Sequence, residues 1–160
     1  MIGLSATKIS EWERDKIVVG SITEVLPHPD ADRIQLVEID PGDGEVLQVA
    51  CGAFNMSVGD LIPFAPVGTT MPGGMEIARR KMRGEWSNGM CCSAAELGLG
   101  DDHSGIMILP DDAPLGIPYG EALGIRPDIL FDLDLTRNRP DCWGYVGIAR
   151  DVAAQMGIEF

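Results

Sequence analysis

Short apolar stretches separated by glycine and proline constrain the fold of this chain more than any other feature. The 160 residues include 20 Gly and 11 Pro, and no apolar run approaches the roughly twenty residues that a membrane-spanning helix needs. Five stretches rich in β-branched or alternating apolar residues predict strands: Ile17–Val25, Arg33–Asp40, Glu45–Cys51, Leu61–Val67 and Asn88–Ser93. Five short strands predict a mainly β fold, a small Greek-key barrel of either the OB or the SH3-like type.

The character of the sequence changes after Pro110. Residues Pro118–Leu123 predict a short helix, and Ile129–Leu135 alternates apolar and acidic residues as a half-exposed strand does. Pro140–Met156 predicts a longer helix, with proline in its first turn and a glycine after its end. One strand and one helix cannot bury a core by themselves, so we expect this C-terminal α+β segment to be part of an incomplete domain.

The net charge of −13 limits the functions open to the chain. Phosphate affinity comes mainly from Lys and Arg contacts, so the molecule as a whole cannot steer a polyanion towards itself. The charge is nevertheless segregated, because Asp101–Asp134 holds eight acids and one arginine. Four positive charges lie within five residues, at Arg79, Arg80, Lys81 and Arg83. Any RNA contact is therefore predicted at this basic cluster.

Several groups near the basic cluster could bind a nucleotide. Arginine can hold a phosphate through two hydrogen bonds, which makes the cluster the natural phosphate contact. Ser87 and Asn88 offer donors and acceptors for a base edge or a 2′-hydroxyl. Arg33, at the start of a predicted strand, could also reach RNA, and Met90 would line the site or join the core.

A second interpretation of the same residues is structural. The cations could form a solvated surface balanced by Glu76 and Glu85, with Ser87 and Asn88 in a turn before a strand. Trp86 adjoins the cluster and could stack on a base, which is worth roughly 1–3 kcal/mol where it occurs. The sequence alone leaves both interpretations open.

The chain shows no arrangement typical of an active site. It contains no Walker motif, dinucleotide fingerprint or metal-hydrolase spacing. His28-Pro29-Asp30-Ala31-Asp32 resembles a set of metal ligands, but Asp after Pro usually forms local turns and His28 would then hold the loop. His103 lies directly beside Asp102 and Ser104, and neighbours in one loop do not converge on one point. We therefore expect no catalytic residue, metal or cofactor in this chain.

The cysteines indicate a reducing compartment. They occupy positions 51, 91, 92 and 142 and form no CxxC pair, so we expect them to be buried and reduced. Met1–Lys16 lacks a basic start followed by an apolar stretch, so no secretory signal is predicted. A cytoplasmic location without membrane attachment follows.

Three motifs that occur in order identify a family. They are His28-Pro29-Asp30-Ala31-Asp32-Arg33, then Cys51-Gly52-Ala53-Phe54-Asn55, then Lys-Met-Arg-Gly-Glu-Trp-Ser-Asn-Gly-Met-Cys-Cys-Ser at Lys81–Ser93. Together they resemble the EMAP-type tRNA-binding domain, an OB-fold barrel found alone and as a module of aminoacyl-tRNA synthetases. The resemblance implies the OB rather than the SH3-like barrel and tRNA as the partner.

The C-terminal half resembles a particular group within that family. Leu97–Ile106 and Asp132–Ala154, which includes Asn138-Arg139-Pro140-Asp141-Cys142, are similar to the N-terminal region of bacterial phenylalanyl-tRNA synthetase β subunits. This implies three parts: a domain remnant or linker at 1–16, the OB-fold tRNA-binding domain at 17–110, and a connecting segment with a strand and helix at 111–160. We expect such a chain to be an excised fragment.

The resemblance also implies partners and a function. In that family the module supports phenylalanyl-tRNA formation without being catalytic, because charging with ATP and Mg²⁺ belongs to the α subunit and editing to a later β domain. The implied partners are tRNA-Phe, bound weakly, together with the α subunit and the remaining β domains in a heterotetramer of two α and two β subunits. Two alternatives remain: a structural or assembly domain with little RNA contact, or a free-standing tRNA-binding protein.

Overall fold

The computed structural model describes residues 4–5, 14–125, 132–133 and 135–160. Two compact units share the chain: Ser10–Pro127 forms one, and Met1–Ile9 with Asp128–Phe160 forms the other. The strands are β1 (Leu4–Ser5), β2 (Val18–Pro27), β3 (Gln35–Asp40), β4 (Leu47–Cys51), β5 (Leu61–Pro66), β6 (Arg80–Met82), β7 (Glu85–Ser87), β8 (Gly89–Cys91) and β9 (Asp132–Leu133). The helices are α1 (Tyr119–Ala122) and α2 (Tyr145–Met156), with 3₁₀ turns at Arg14–Lys16 and Pro140–Cys142. None of the helices in the described part of the chain is long and apolar enough to cross a bilayer.

The larger unit is a five-stranded antiparallel barrel with the strand order β4-β3-β2-β5-β8. The ten-residue strand β2 pairs with two neighbours. Its residues Val18–Ser21 pair with β5, and its residues Ser21–Pro27 pair with β3. The register shifts between Ile22 and Glu24, which lets β2 bend as the sheet closes. The mainly β class and the five-stranded OB-type barrel predicted from the sequence are confirmed.

Alternating apolar side chains fill the barrel. The inner cluster contains buried apolar residues from every barrel strand, with Cys91 from β8 and, from the other four strands, Ile22, Val37, Ile39, Val49, Ile62 and Phe64 among others. Full burial of such a side chain stabilises a fold by about 1.5–3 kcal/mol. Gly20 permits the close approach of β2 to its neighbours, because a Cβ there would lie 2.7 Å from Cγ2 of Ile39.

The segment after the barrel packs against one side of β2. Backbone N–H groups of Val19 and Tyr119 donate to the carbonyls of Ile117 and Ile17 at 2.8 and 3.0 Å. Tyr119, the first residue of α1, is completely buried in a second apolar cluster that also contains Met71, Ile77 and Leu97. Residues 111–125 therefore pack as part of the barrel unit. The domain limits 1–16, 17–110 and 111–160 describe the modules that the family resemblance implies, and they stay predictions.

The two edge strands of the barrel sheet, β4 and β8, are joined by a few individual hydrogen bonds rather than by a backbone ladder. The Gln48 carbonyl in β4 accepts hydrogen bonds from the backbone N–H of Asn88 at 2.9 Å and from its Nδ2 at 3.2 Å. The Gln48 side chain donates from Nε2 to the Trp86 carbonyl at 2.9 Å. A single glutamine thus ties β4 to the chain on both sides of residue 87.

Ser87 completes this closure. Its buried hydroxyl accepts a hydrogen bond from the Ala50 N–H at 3.2 Å and donates to the Gly89 carbonyl at 3.1 Å. We call the four residues Gln48, Ala50, Ser87 and Asn88 the barrel seam. Because no ladder bonds join β4 to β8, these polar contacts take the place of the missing strand pairing.

The smaller unit departs from the predicted helix Pro140–Met156. The structure divides it into a 3₁₀ turn at Pro140–Cys142 and α2, because Gly144 between them is extended, with φ −144° and ψ 161°. The predicted end is confirmed, since Gly157 caps α2 with φ 66°. Of the predicted strand Ile129–Leu135, residues 132–133 form β9 and pair with β1, Leu135 lies outside β9, and positions 129–131 and 134 lie outside the described residues.

An arginine clamp joins the 3₁₀ turn to α2. Arg139 binds Asp141 through Nε and Nη2, at 3.0 and 2.9 Å, and its Nη2 also lies 2.8 Å from Oδ1 of Asp151. These hydrogen bonds to Arg139 lower the pKa of Asp141 to about 2. The Asn-Arg-Pro-Asp-Cys element is therefore a structural corner in this unit.

Replacing Gly89 by alanine is expected to destabilise the barrel. A Cβ at this position would meet the Phe64 ring and lie 2.8 Å from the Ala65 carbonyl oxygen. Overpacking of this kind typically costs about 1–3 kcal/mol. Gly73→Ala is the matched control, because a Cβ at Gly73 meets nothing within 4 Å. Urea unfolding should show a loss for Gly89→Ala alone, and equal stability of the two variants would contradict the described packing.

Replacing Ser87 by alanine tests the barrel seam. The change leaves the Ala50 N–H and the Gly89 carbonyl without their partner, and an unmet polar group in a buried place costs about 1–3 kcal/mol. The exposed Ser57 is the control, since among the described residues only its backbone is engaged: its N–H donates to Asp60 Oδ2 at 2.7 Å and its carbonyl accepts from the Asp60 N–H at 3.1 Å. A fall in unfolding free energy is expected for Ser87→Ala and not for Ser57→Ala. An unchanged midpoint for Ser87→Ala would show that the seam does not depend on this hydroxyl.

Candidate nucleic-acid interface

The basic cluster lies on a two-stranded hairpin, residues 79–87, which we call the basic hairpin. Strands β6 and β7 pair with Lys81 opposite Trp86 and Met82 opposite Glu85. The turn residues Arg83 and Gly84 both have positive φ, 45° and 101°, as a tight type I′ hairpin turn requires. These strands were not predicted from the sequence, because charged residues dominate them.

One face of the basic hairpin gathers cations around Trp86. The guanidinium of Arg79 lies 4.4 Å from the centre of the Trp86 ring, and Nζ of Lys81 lies 5.7 Å from it. Each exposed cation–π contact of this kind contributes about 0.5–1 kcal/mol. The Trp86 side chain is 43% exposed. In this conformation the ring supports two cations rather than offering a bare stacking surface.

The other face of the basic hairpin is tied to the barrel. The carboxylate of Glu85 lies 3.5 Å from Nε2 of Gln48, and Ser87 is buried in the barrel seam. The hairpin therefore cannot rotate freely about its ends. Its outer cations are therefore held at a fixed place on the barrel surface. This reduces the conformational entropy that the hairpin would lose when it binds a phosphate.

His28 anchors the turn of the basic hairpin from a second direction. Its Nδ1 accepts the backbone N–H of Asp30 at 3.1 Å, so the proton is assigned to Nε2, which donates to the Met82 carbonyl at 3.0 Å. Arg83 returns a hydrogen bond from Nη1 to the Asp30 carbonyl at 3.2 Å. His28 thus holds its loop, as one of the two interpretations of that motif predicted. Across the described residues, no group of three or more His, Cys, Asp and Glu side chains could hold a metal ion.

The structure brings together most of the predicted phosphate contacts. All four members of the basic cluster are exposed, and within the described part of the chain none of them forms an ion pair with a carboxylate. Neither Glu76 nor Glu85 forms a direct ion pair with any of the four within the described residues. Arg33 is exposed on the loop before β3, the same loop from which His28 contacts the basic hairpin.

The remaining predicted residues have structural contacts of their own. Ser87 is buried and its hydroxyl is engaged on both sides, whereas Asn88 donates to Gln48 and, among the described residues, accepts no hydrogen bond at Oδ1. Met90 is half-buried against the second apolar cluster. Contact of these three residues with a nucleotide stays a prediction. Among their side chains, Oδ1 of Asn88 is the oxygen that has no hydrogen-bond partner in the described residues.

Two residues near the interface were missed by the sequence interpretation. Gln48 carries the barrel seam, and nothing in its neighbourhood distinguishes it from an ordinary polar strand residue. Phe54 is 61% exposed at the rim of a cleft of about 340 Å³ that also contains His28, Asp32 and Gln35. An aromatic residue in a Gly/Asn-rich loop was the available signal for Phe54.

The chain is similar in sequence to a family of tRNA-binding domains and to synthetase subunits. Residues 17–118 match the family described as "putative tRNA binding domain". The chain is 49% identical to the phenylalanine–tRNA ligase beta subunit of Anaeromyxobacter dehalogenans over 96% of its own length and 19% of that protein. It is 43% identical to the subunit of the same name from Geobacter sulfurreducens (98% of this chain, 20% of that protein) and 46% identical to that from Salinibacter ruber (88% and 19%).

The chain spans about a fifth of the length of the curated relatives it matches. The family match includes the whole five-stranded barrel, the basic hairpin and the barrel seam. It also reaches the segment that pairs beside β2 at residue 117. Because this match covers well over half of its residues, the chain belongs to the tRNA-binding domain family.

Proposed function

We propose that the chain binds tRNA through the exposed cations of the basic hairpin, with Arg79 and Lys81 on its outer face, as a non-catalytic module of a phenylalanine–tRNA ligase β subunit. The observation that carries the proposal is the set of four exposed cations without ion-pair partners in the described residues, held on a hairpin that is anchored twice. Unpaired Arg and Lys side chains are the groups that neutralise backbone phosphates. Arg33 and the Oδ1 atom of Asn88 extend the same proposed surface.

The proposed binding is weak and depends on salt. A net charge of −13 repels RNA from most of the surface, so the basic hairpin has to act alone. Each phosphate that it neutralises adds about 0.7–0.9 to the slope of log affinity against log salt. Sequence preference should be small, because phosphate contacts carry no base information.

We further propose the setting in which this module acts. Its relatives are named phenylalanine–tRNA ligase beta subunits, and we infer a ligase that charges tRNA-Phe. In this proposal ATP and Mg²⁺ are used outside this segment, and the α subunit and the other β domains are its partners. The cytoplasm is the proposed location, where four free cysteines would stay reduced. No cofactor is proposed for this segment.

A second function, as an assembly domain, is favoured by a different observation. The smaller unit exposes large aromatic side chains, Trp143 at 76% and Tyr145 at 93%. Exposed aromatic residues of this size are typical of protein–protein contacts. In that alternative the chain contacts other synthetase domains and touches RNA little.

Charge removal from the basic hairpin separates the two functions. The quadruple change of Arg79, Arg80, Lys81 and Arg83 to alanine should weaken binding of tRNA-Phe and flatten its salt dependence, because each lost phosphate contact removes about one unit of slope. Fluorescence anisotropy titrations at several salt concentrations measure both quantities. The melting temperature should fall by only a few degrees, since these side chains are exposed and lose only the contacts with Trp86 and the hydrogen bond from Arg83 to Asp30.

A charge-matched pair controls for overall electrostatics. Arg79→Ala with Lys81→Ala removes two charges from the Trp86 face, and Arg137→Ala with Arg150→Ala removes two exposed charges from the smaller unit. Only the first pair should lower affinity. Equal losses would indicate that net charge alone matters, and a quadruple variant that binds tRNA like the parent would favour the assembly function.

A further inference from the structure

Two cysteines face each other across the closure of the barrel. Strands β4 and β8 run in the same direction, because four antiparallel pairings separate them in the sheet. Gln48 contacts Asn88 across this boundary, and Cys51 and Cys91 are each three residues further along their strands. Both belong to the same buried cluster. Their matching positions place the two thiols side by side.

A cleft gives small molecules access to this pair. It has a volume of about 290 Å³ and is lined by residues that include Cys51, Cys91, Met90, Glu96 and His103. The two cysteines are 8% and 6% exposed, which places them at the floor of the cleft rather than behind it. A compact reagent could therefore reach a thiol that is shielded from larger ones.

The thiols differ in reactivity. The hydrogen bond from Cys91 and then the backbone at Ala53 lower the pKa of Cys51 to about 7, against the opposing effects of burial and the charge of Glu96. The same contact and burial raise the pKa of Cys91. Burial likewise raises the pKa of Cys92 and of Cys142. The thiolate is the nucleophile, so Cys51 is the one cysteine with a substantial reactive fraction near neutral pH.

We propose that Cys51 and Cys91 form a hydroperoxide-sensitive dithiol that closes to a disulfide across the barrel. The Cys51 thiolate attacks the terminal oxygen of the hydroperoxide, giving a sulfenic acid and releasing hydroxide, or alkoxide from an organic peroxide. The Cys91 sulfur then attacks the Cys51 sulfur and the S–S bond forms. The S–O bond of the sulfenic acid breaks, and its hydroxyl group leaves as water after taking the proton of the Cys91 thiol. Two thiols lose two electrons in total, and the peroxide bond accepts them.

The disulfide would add a covalent link where the barrel has no strand ladder. The link would join β4 to β8 and close the segment between residues 51 and 91, which contains β5 and the basic hairpin. Restricting the unfolded chain in this way stabilises the folded state. In the oxidised protein the disulfide would hold the barrel closed. In the reduced protein the hydrogen bonds of the barrel seam alone would join β4 to β8.

The test treats the reduced 160-residue chain with hydrogen peroxide at neutral pH, without denaturant, and then alkylates it under denaturing conditions. The expected intact mass is that of a protein that has lost two hydrogens and carries two alkylated cysteines. Non-reducing digestion should link the peptide with Cys51 to the peptide with Cys91. The melting temperature should rise by several degrees and return on addition of dithiothreitol.

Single substitutions assign the bond. Cys51→Ser and Cys91→Ser should each abolish the loss of two hydrogens, whereas Cys92→Ser and Cys142→Ser should retain it. If a variant fails to fold, peptide mapping of the unmodified chain still decides. Four alkylated cysteines after peroxide treatment, a bond between Cys91 and Cys92, or a crosslink that forms only in urea would each overturn the proposal.

Discussion

The closure of the barrel by Gln48 is the interaction on which the rest of the structure depends. An open five-stranded sheet would leave β4 and β8 as free edges, each with unpaired backbone groups. Here one backbone carbonyl accepts two hydrogen bonds from Asn88, and the side chain of the same glutamine holds the Trp86 carbonyl. Ser87 fills the remaining gap by bridging Ala50 and Gly89. Three polar side chains, with the backbone of Ala50, thus convert a sheet into a barrel.

The same closure positions the proposed RNA surface. The basic hairpin leads directly into the barrel seam, so its inner side is fixed by structural hydrogen bonds while its outer side displays Arg79 and Lys81 over Trp86. His28 fixes the opposite end, at the turn. A localised and rigid patch of positive charge is what an acidic chain needs in order to contact RNA at all. This explains how a net charge of −13 and membership of a tRNA-binding family are compatible.

The sequence predicted the barrel well because its strands are encoded locally. β-Branched residues and flanking turn residues marked β2 to β5, and β8 was found within a longer predicted strand. The basic hairpin was missed because strands with only charged or aromatic outer residues lack the apolar alternation on which prediction depends. The helix predicted at Pro140–Met156 begins at Tyr145 in the structure. The predicted helix is interrupted at Gly144, which has an extended conformation that the composition of the segment does not reveal.

The site was harder to predict for a physical reason. Ser87 and Asn88 have the side chains that suit a nucleotide edge, yet the same hydrogen-bonding capacity can close a barrel, and only long-range contacts with Gln48 and Ala50 decide between these uses. The exposure of the cations of the basic hairpin was predictable, because a run of like charges is kept in contact with water rather than buried. The support beneath them, from Trp86, His28 and Gln48, lies far apart in sequence.

The indole N–H signals of the tryptophans give the most direct test of the central claim that the outer face of the basic hairpin meets tRNA. In a titration of the isotope-labelled chain with tRNA-Phe at low salt, the Trp86 signal should shift or broaden progressively, since its ring lies beneath Arg79 and Lys81. The signal of Trp143, in the smaller unit, should stay in place and serves as an internal reference. A Trp86 signal that does not move while others do would contradict the account.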